Sequence, residues 1–255
     1  MVLYNSRMFK GIIVKEKVSL TFTGERVVAG STPERIWLDH IYRYEYAKKL
    51  VKGKDVLDIS CGTGYGSRIL CDGGAARVIG LDISNNIIDY ASSKYGTKVL
   101  EFRVGDILNI DFVNNNFDVI TCFETIEHVN NQKKAFMELQ RVLRPEGILI
   151  ISSPNRRLTS PGKTINEQPD NHFHTIEYST AEFICNVGSY FHILQVYGQR
   201  AINRFILLPF IETLLRKEFP QSYSPEKGEP RLEKVSYIKE YRYNIIVCKK
   251  KSDNQ

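Results

Sequence analysis

The sequence predicts an α/β domain built on a doubly wound, largely parallel sheet. Five apolar, strand-like runs alternate with stretches of helical spacing, which is the pattern of a sheet wrapped by helices on both faces. The first run leads into a loop with glycine at Gly62, Gly64 and Gly66, where the backbone must turn sharply or come close to a ligand. Three of the runs deliver an acid, Asp58, Asp82 and Asp106, to the same end of the sheet. At 255 residues the chain has room for one sizeable domain with additions, and a second full domain is not expected.

Taken in order, the chain opens with short β-like runs around residues 12–14 and 18–22, followed by Thr23-Gly24-Glu25-Arg26. Ser31 or Thr32 is placed to cap a helix with Pro33 in its first turn. Ile36, Trp37, His40, Ile41, Tyr44 and Ala47 then recur at helical spacing to about Val51. The His40-x-x-Arg43-Tyr44 cluster on this helix is read either as lying over the glycine loop or as simple packing. Val56, Leu57 and Ile59 suit a buried strand. A short helix runs from the loop through Leu70 and stops at Gly73-Gly74.

A strand over residues 77–81 ends at Asp82. Ser84 is expected to cap the next helix, whose Ile87, Ile88 and Ala91 face inward and which Gly96 ends. Strands come next over 99–104, leading to Gly105-Asp106, and over 117–123, leading to Glu124. A helix with Ala135, Phe136, Leu139, Val142 and Leu143 on one face ends before Pro145, and 147–152 gives a fifth strand. A helix over 179–187, a strand over 191–197 and a last strand over 243–248 complete the pattern. Between the last two strands, Ile202, Phe205, Ile206, Phe210, Ile211, Leu214 and Leu215 suggest an apolar helix broken at Pro209, then a polar stretch over 220–230. This insertion is expected to be a lid or side helix; a membrane-surface or dimer-forming helix is the alternative.

Composition narrows the class. A content of 42% hydrophobic and 25% charged residues is that of a soluble globule. Lys and Arg exceed Asp and Glu by 35 to 29, a balance that suits an acidic small molecule but is too mild to indicate nucleic acid. Cys61, Cys71, Cys122, Cys185 and Cys248 are odd in number and form no Cys-x-x-Cys pair, as for reduced thiols in a cytoplasmic protein. The longest early apolar run, 11–14, is far short of a signal core, and no run reaches the length of a membrane span.

The acids point to the ligand. Asp82 lies eighteen residues beyond Gly64, a spacing that lets a carboxylate accept hydrogen bonds from both hydroxyls of a ribose. Asp58 puts negative charge where a dinucleotide would place its pyrophosphate, so a cationic or zwitterionic ligand is expected. S-adenosylmethionine fits, with ribose hydroxyls for Asp82, an adenine amino group for Asp106, and an ammonium and a sulfonium that tolerate acids nearby. The alternative for each acid is to cap the next helix. A nicotinamide cofactor would want a small residue three positions beyond Gly64, where Ser67 fits only loosely, and Asp58 counts against it.

Asp58-x-Ser60-x-Gly62-x-Gly64, Gly80-Leu81-Asp82, Gly105-Asp106, Phe117-Asp118-Val119-Ile120 and the run from Leu143-Arg144-Pro145 to Ile150 resemble the successive motifs of class I S-adenosylmethionine-dependent methyltransferases. The resemblance covers roughly residues 34–198 in the right order. Ser60 stands where the family usually has glycine. The resemblance implies a seven-stranded, mostly parallel sheet with an antiparallel last strand. The chain is accordingly divided into an N-terminal extension over 1–32, a methyltransferase domain over 33–250 with an insertion at 199–240, and a polar tail over 251–255. Its cofactor would be held by Asp58, Ser60, Gly62, Gly64, Asp82, Ile83, Asp106, Ile107 and Phe123.

Mechanism is read from the segment after the fourth strand. If Glu124 opens a helical turn, Glu127 and His128 share its face, which is a spacing suited to metal ligands. His174, or His172, would supply a fourth ligand. The Glu-x-x-Glu-His pattern resembles metal-dependent O-methyltransferases, the small-RNA 2′-O-methyltransferases and the ubiquinone-pathway enzymes. His174 three residues before Glu177-Tyr178 matches the RNA enzymes. Two carboxylates with two imidazoles suit Mg²⁺, Mn²⁺ or Zn²⁺ alike. Alternatively no metal binds, the acids complement a helix N-terminus, and His128 or His174 is the catalytic base.

The Thr23 to Arg26 segment, the His40 to Tyr44 cluster and the run from Ser153-Pro154-Asn155 to Tyr178 resemble methyltransferases of types 11 and 23 found with glycan and nucleotide-sugar biosynthesis. O-methylation of a sugar, a nucleotide-sugar or a similar small polar metabolite is therefore the leading expectation, with Arg26, Arg43, Arg156 and Arg157 available to phosphates. The other readings are a metal-dependent RNA 2′-O-methyltransferase and a non-catalytic protein that keeps the cofactor fold.

Overall fold

A computed structural model describes residues 26–203 and 229–251. The β-like runs at 12–14 and 18–22, residues 23–25, the apolar run from Phe205 with Pro209, most of the stretch at 220–230 and the tail beyond Lys251 lie outside the described residues. Among the described residues, eight strands form one sheet in the order β3-β2-β1-β4-β5-β8-β6-β7. They are β1 Asp55–Ile59, β2 Arg77–Asp82, β3 Leu100–Val104, β4 Phe117–Phe123, β5 Leu143–Pro154, β6 Phe191–Asn203, β7 Glu233–Lys234 and β8 Lys239–Lys250. The first five are parallel neighbours, and β8 runs antiparallel to both β5 and β6. The expected doubly wound sheet is present, with a two-residue edge strand as its eighth member.

Helices α1 (Glu34–Ala47), α2 (Tyr65–Asp72) and α3 (Asn85–Tyr95) bring Tyr44, Ala47, Leu70, Ile88 and Ala91 to one face of the sheet. Helix α4 (Gln132–Val142), the single turn α5 (Arg156–Thr159) and α6 (Thr180–Tyr190) come later along the chain. From α4 and α6, Phe136, Leu139, Val142, Phe183 and Val187 cover the other face. Central β1 is sealed by both layers, and Val56 and Leu57 have no exposed surface. Burying each such side chain is worth roughly 1.5–3 kcal/mol.

Several boundaries differ from the sequence expectation, for local reasons. Helix α3 begins at Ser84 without a side-chain cap; Asp82 Oδ1 instead accepts from Ser84 N at 3.0 Å. Helix α1 starts after Pro33, and Thr32 Oγ1 is engaged by Val28 N at 2.7 Å. Strand β5 starts at Leu143, directly after α4, because Leu143 already pairs with Phe117. The ladder then slips by a bulge at Pro145, which has no N–H, and Glu146, whose φ is +61°.

The last hairpin extends further than expected. Residues 199–203 and 239–240, placed by sequence in an insertion, are paired strand. Their polar residues read as loop, yet Gln199 Nε2 donates to Asp39 O at 3.1 Å and Arg200 Nε to Asp39 Oδ1 at 2.8 Å, both buried against α1. Tyr241 then lies flat over Gly198, where a Cβ would meet its ring at 2.1 Å.

Candidate active site

A cleft of about 620 Å³ opens at the carboxyl ends of the strands, where an open α/β sheet leaves room for a ligand. Of the residues expected to hold a cofactor, Ser60, Gly62, Asp82, Ile83, Asp106, Ile107 and Phe123 line it. The loop after β1 passes through the left-handed region at Ser60 (φ +55°) and Gly62 (φ +54°). That conformation costs an L-residue about 1–2 kcal/mol, which accounts for the family's glycine at the position of Ser60. Gly62 N donates to Asp82 Oδ2 at 3.1 Å, so loop and acid are locked together. Ile83 is exposed beside them, and Asp106 accepts from Leu108 N at 2.8 Å. Arg26 reaches Asp82 from the N-terminal segment at 3.7 Å.

Gly64 and Asp58 take another place. Gly64 caps α2 with φ +83°, and a Cβ there would come within 2.8 Å of Ala91 and of the Phe102 ring. It sets the packing of the loop and does not line the cleft. Asp58 is fully buried beneath the loop and also stays off the cleft wall. Its carboxylate accepts from Ser67 Oγ at 2.6 Å, Thr121 Oγ1 at 2.7 Å and Tyr44 Oη at 3.0 Å. Burial pushes this carboxyl up to about 6, against the pull of the three hydroxyls. Helical spacing gives no sign that Tyr44 belongs to this cluster. It reaches Asp58 from α1 while its ring packs edge-on against Phe123 at 5.0 Å.

The opposite wall departs more from expectation. Glu124 does not open a helical turn: its φ is +47°, and only Ile126–His128 forms a single 3-10 turn. Its side chain therefore leaves the shared face. Glu124 Oε1 accepts from Ser152 Oγ at 2.6 Å and sits 3.0 Å from Nη1 of Arg43, which is buried rather than laid over the loop. Glu127, His128 and His174 do converge, with ligand atoms within 4.8 Å of one another. Glu127 is buried and accepts from Ser153 Oγ at 3.3 Å; burial first, and the charge of Glu124 second, hold its carboxyl well above the usual range. His172 stays outside this group, its ring tilted against Phe173 with centroids 3.9 Å apart.

The two histidines meet edge to face, with ring centroids 4.8 Å apart. His128 Nδ1 lies 3.1 Å from Phe173 O, and a carbonyl only accepts, so Nδ1 carries the proton. His174 Nδ1 is 2.6 Å from Glu177 Oε1, and its Nε2 is 2.9 Å from Asn171 Nδ2. Glu177 also accepts from Thr159 Oγ1 at 2.6 Å and Ser160 Oγ at 2.7 Å. Burial opposes its charge, but these three partners outweigh burial and hold the carboxyl below its usual range. Sequence spacing marks Glu177 only as part of a pattern, three residues after His174; the hydroxyls of Thr159 and Ser160 that hold its other oxygen come from the end of the α5 turn.

Arg242 and Tyr243, from the start of β8, and Asn171 and Thr159 complete this wall. No spacing signal connects them to the glycine loop. His40 lines the cleft from α1, and burial, aided by the charge of Arg43, holds its imidazole well below the ordinary range.

Comparison with known proteins places the fold. A family model described as a methyltransferase domain matches residues 50–201. A probable S-adenosylmethionine-dependent methyltransferase of Mycolicibacterium smegmatis is 36% identical over 165 residues, covering 64% of this chain and 62% of the relative. The phosphoethanolamine N-methyltransferase of Triticum aestivum is 32% identical over 156 residues, covering 60% of this chain and 28% of its own length. The chain thus spans less than two thirds of these relatives. A solved Pyrococcus horikoshii protein superposes with a TM-score of 0.59 at 21% identity, covering 87% of this chain and 93% of its own.

Proposed function

Since the chain belongs to the methyltransferase-domain family, we propose that it is an S-adenosylmethionine-dependent methyltransferase acting on an oxygen of a small polar metabolite, a sugar or nucleotide-sugar foremost, with His174 as the base. The residues present suit the cofactor. Asp82, fixed by Gly62 N, offers a carboxylate to ribose hydroxyls. Ile83, Ile107 and Leu108 offer apolar surface to a base, with Asp106 beside them. The left-handed loop at Ser60 to Gly62 brings backbone to the cleft. When bound, S-adenosylmethionine supplies an electrophilic methyl group on a sulfonium.

The observation that carries the reading is the 2.6 Å contact of His174 with Glu177 in the same cleft as the Gly62–Asp82 wall. Glu177, held in its charged form, accepts a hydrogen bond from the Nδ1–H of His174 and fixes the tautomer with Nε2 as acceptor. An acceptor hydroxyl that displaces Asn171 Nδ2 from that nitrogen gives up its proton there as its oxygen becomes nucleophilic. Glu177 then balances the charge of the imidazolium.

A second reading keeps a divalent cation on Glu127, His128 and His174, whose ligand atoms cluster within 4.8 Å. Glu124 is not part of that set. Methyl transfer from labelled S-adenosylmethionine to sugars, nucleotide-sugars, phosphoethanolamine, quinone precursors and short RNAs, with and without chelator, tests both. Transfer to a sugar hydroxyl that survives chelator supports His174 as the base; transfer abolished by chelator and restored by one metal favours the cation. Failure of S-adenosylmethionine to bind in calorimetry would overturn the whole reading.

A further inference from the structure

The cleft contains a cation that no carboxylate answers among the described residues. Of the described arginines, only Arg231 and Arg242 lie beyond 4.0 Å of every described carboxylate oxygen. Arg231 is exposed, where water solvates it. Arg242 lines the cleft, and its Nε is sealed from solvent with no hydrogen-bond partner among the described residues. Its backbone is fixed at the cleft end of the sheet: Arg242 O accepts from Asn155 N at 2.9 Å, and Tyr243 beside it pairs with Pro154.

A second guanidinium stands close by. The Cζ atoms of Arg43 and Arg242 lie 4.8 Å and 6.0 Å from the centroid of the Tyr243 ring. Arg43 is buried, and among the described carboxylates Glu124 alone meets it, at 3.0 Å. Within 4.0 Å this corner therefore sets two guanidiniums against one described carboxylate, with Glu127 acting on Arg43 from further off, and no described carboxylate meets Arg242. Arginine stays charged in proteins, and a half-buried guanidinium without an anion is costly, so the corner is electrostatically incomplete. A planar fork of N–H donors is matched best by a phosphate or a carboxylate, which it can bind through two parallel hydrogen bonds.

We infer that the acceptor carries an oxyanion, a phosphate or carboxylate group, that docks on Arg242 beside Tyr243, across the cleft from the Asp82 wall. The inference rests on the cleft being the site of methyl transfer, and it makes Arg242 a specificity-determining residue. Anionic acceptors gain over their neutral counterparts through binding, while His174 and Glu177 handle the proton.

The test is calorimetry on the full chain and its Arg242→Gln, Arg242→Lys and Arg231→Gln variants. S-adenosylhomocysteine is titrated first, then inorganic phosphate, glucose 1-phosphate, glucuronate or glucose. Wild type and Arg231→Gln are expected to bind anionic probes more tightly than glucose, and Arg242→Gln to bind them about tenfold or more weakly. Arg242→Lys, a point charge without the fork, falls between them. The tighter of glucose 1-phosphate and glucuronate identifies the group. Anionic probes that bind no better than glucose, or that bind Arg242→Gln and Arg242→Lys as tightly as wild type, overturn the inference. Failure of wild type to bind S-adenosylhomocysteine instead removes the methyl-transfer reading, whatever the anions do. Should Arg242→Gln not fold, Arg242→Lys carries the comparison.

Discussion

Asp58 and Glu177 are both buried carboxylates, one under the glycine loop and one at the opposite wall of the cleft. Asp58 is met by the hydroxyls of Ser67, Thr121 and Tyr44, whereas Glu177 is met by the hydroxyls of Thr159 and Ser160 and by the imidazole of His174. The difference shows in their titration. Burial wins at Asp58 and raises it to about 6; at Glu177 the partners win and keep it ionised. Asp58 ties α1, α2 and β4 to one point and needs no charge to do so. In the proposed mechanism Glu177 needs its charge, because the imidazole it orients gains one.

The largest expected effect separates the two at the level of rate. His174→Ala is expected to lower kcat by about 10²- to 10⁴-fold, with the affinity for S-adenosylmethionine unchanged. Glu177→Gln, which keeps the size but not the charge, should go part of the same way. Rates within a factor of a few of wild type for both variants would mean that this wall is structural, like the other.

Stability against pH gives the next contrast. Because Asp58 binds its proton more tightly folded than unfolded, where it titrates near 3.8, its contribution is greatest at low pH. It declines as the pH rises through about 6, by up to about 3 kcal/mol. Glu177 has the opposite sign: its contribution is present above its ordinary value of 4.5 and is lost as the pH falls through its lowered one. In urea titrations between pH 4 and 7, wild type minus Asp58→Asn should therefore slope downward with rising pH. A flat difference would break the contrast.

A smaller effect sharpens the account of the cofactor wall. Asp82→Ala removes a charged acceptor and frees Gly62 N, and should weaken S-adenosylmethionine binding by about 1.5–3 kcal/mol in calorimetry. Asp58→Asn, one layer deeper, should move that affinity less. Unchanged affinity in Asp82→Ala would take the ribose-holding role from this acid. The smallest effect is at Ser60. Relieving its positive φ with Ser60→Gly should raise the thermal midpoint by the equivalent of about 1 kcal/mol, unless the hydroxyl itself meets the ligand. Weaker cofactor binding in that variant would assign the hydroxyl a direct role.

The two walls also differ in how far they are legible in the sequence. Asp82, Asp106 and the loop from Ser60 to Gly62 sit at strand ends, and strand ends are written in the sequence as apolar runs followed by an acid or a glycine. Their side of the cleft can be placed from spacing alone. Asp58 meets the same pattern and yet points inward, because Ser67 and Thr121, nine and sixty-three positions away, supply hydroxyls that draw it under the loop. Glu124 departs from its spacing for a backbone reason: a positive φ after β4 turns its side chain to Ser152 and Arg43, which no i, i+3, i+4 spacing anticipates.

The sequence by itself determined the strand and helix order, the side of the sheet that bears the cleft, the three-residue spacing of His174 and Glu177, and the resemblance that names the family. Those come from periodicities of two and 3.6 and from motifs that lie within single segments. Tertiary structure alone decided that His128 meets His174, that Thr159 and Ser160 hold Glu177, that Tyr44 reaches Asp58, that β6 and β8 run on through polar residues buried against α1, and that Arg242 faces the cleft. Each depends on the approach of segments far apart in the chain, and at those distances the pairing of charges and hydroxyls is set by packing, which local spacing does not encode.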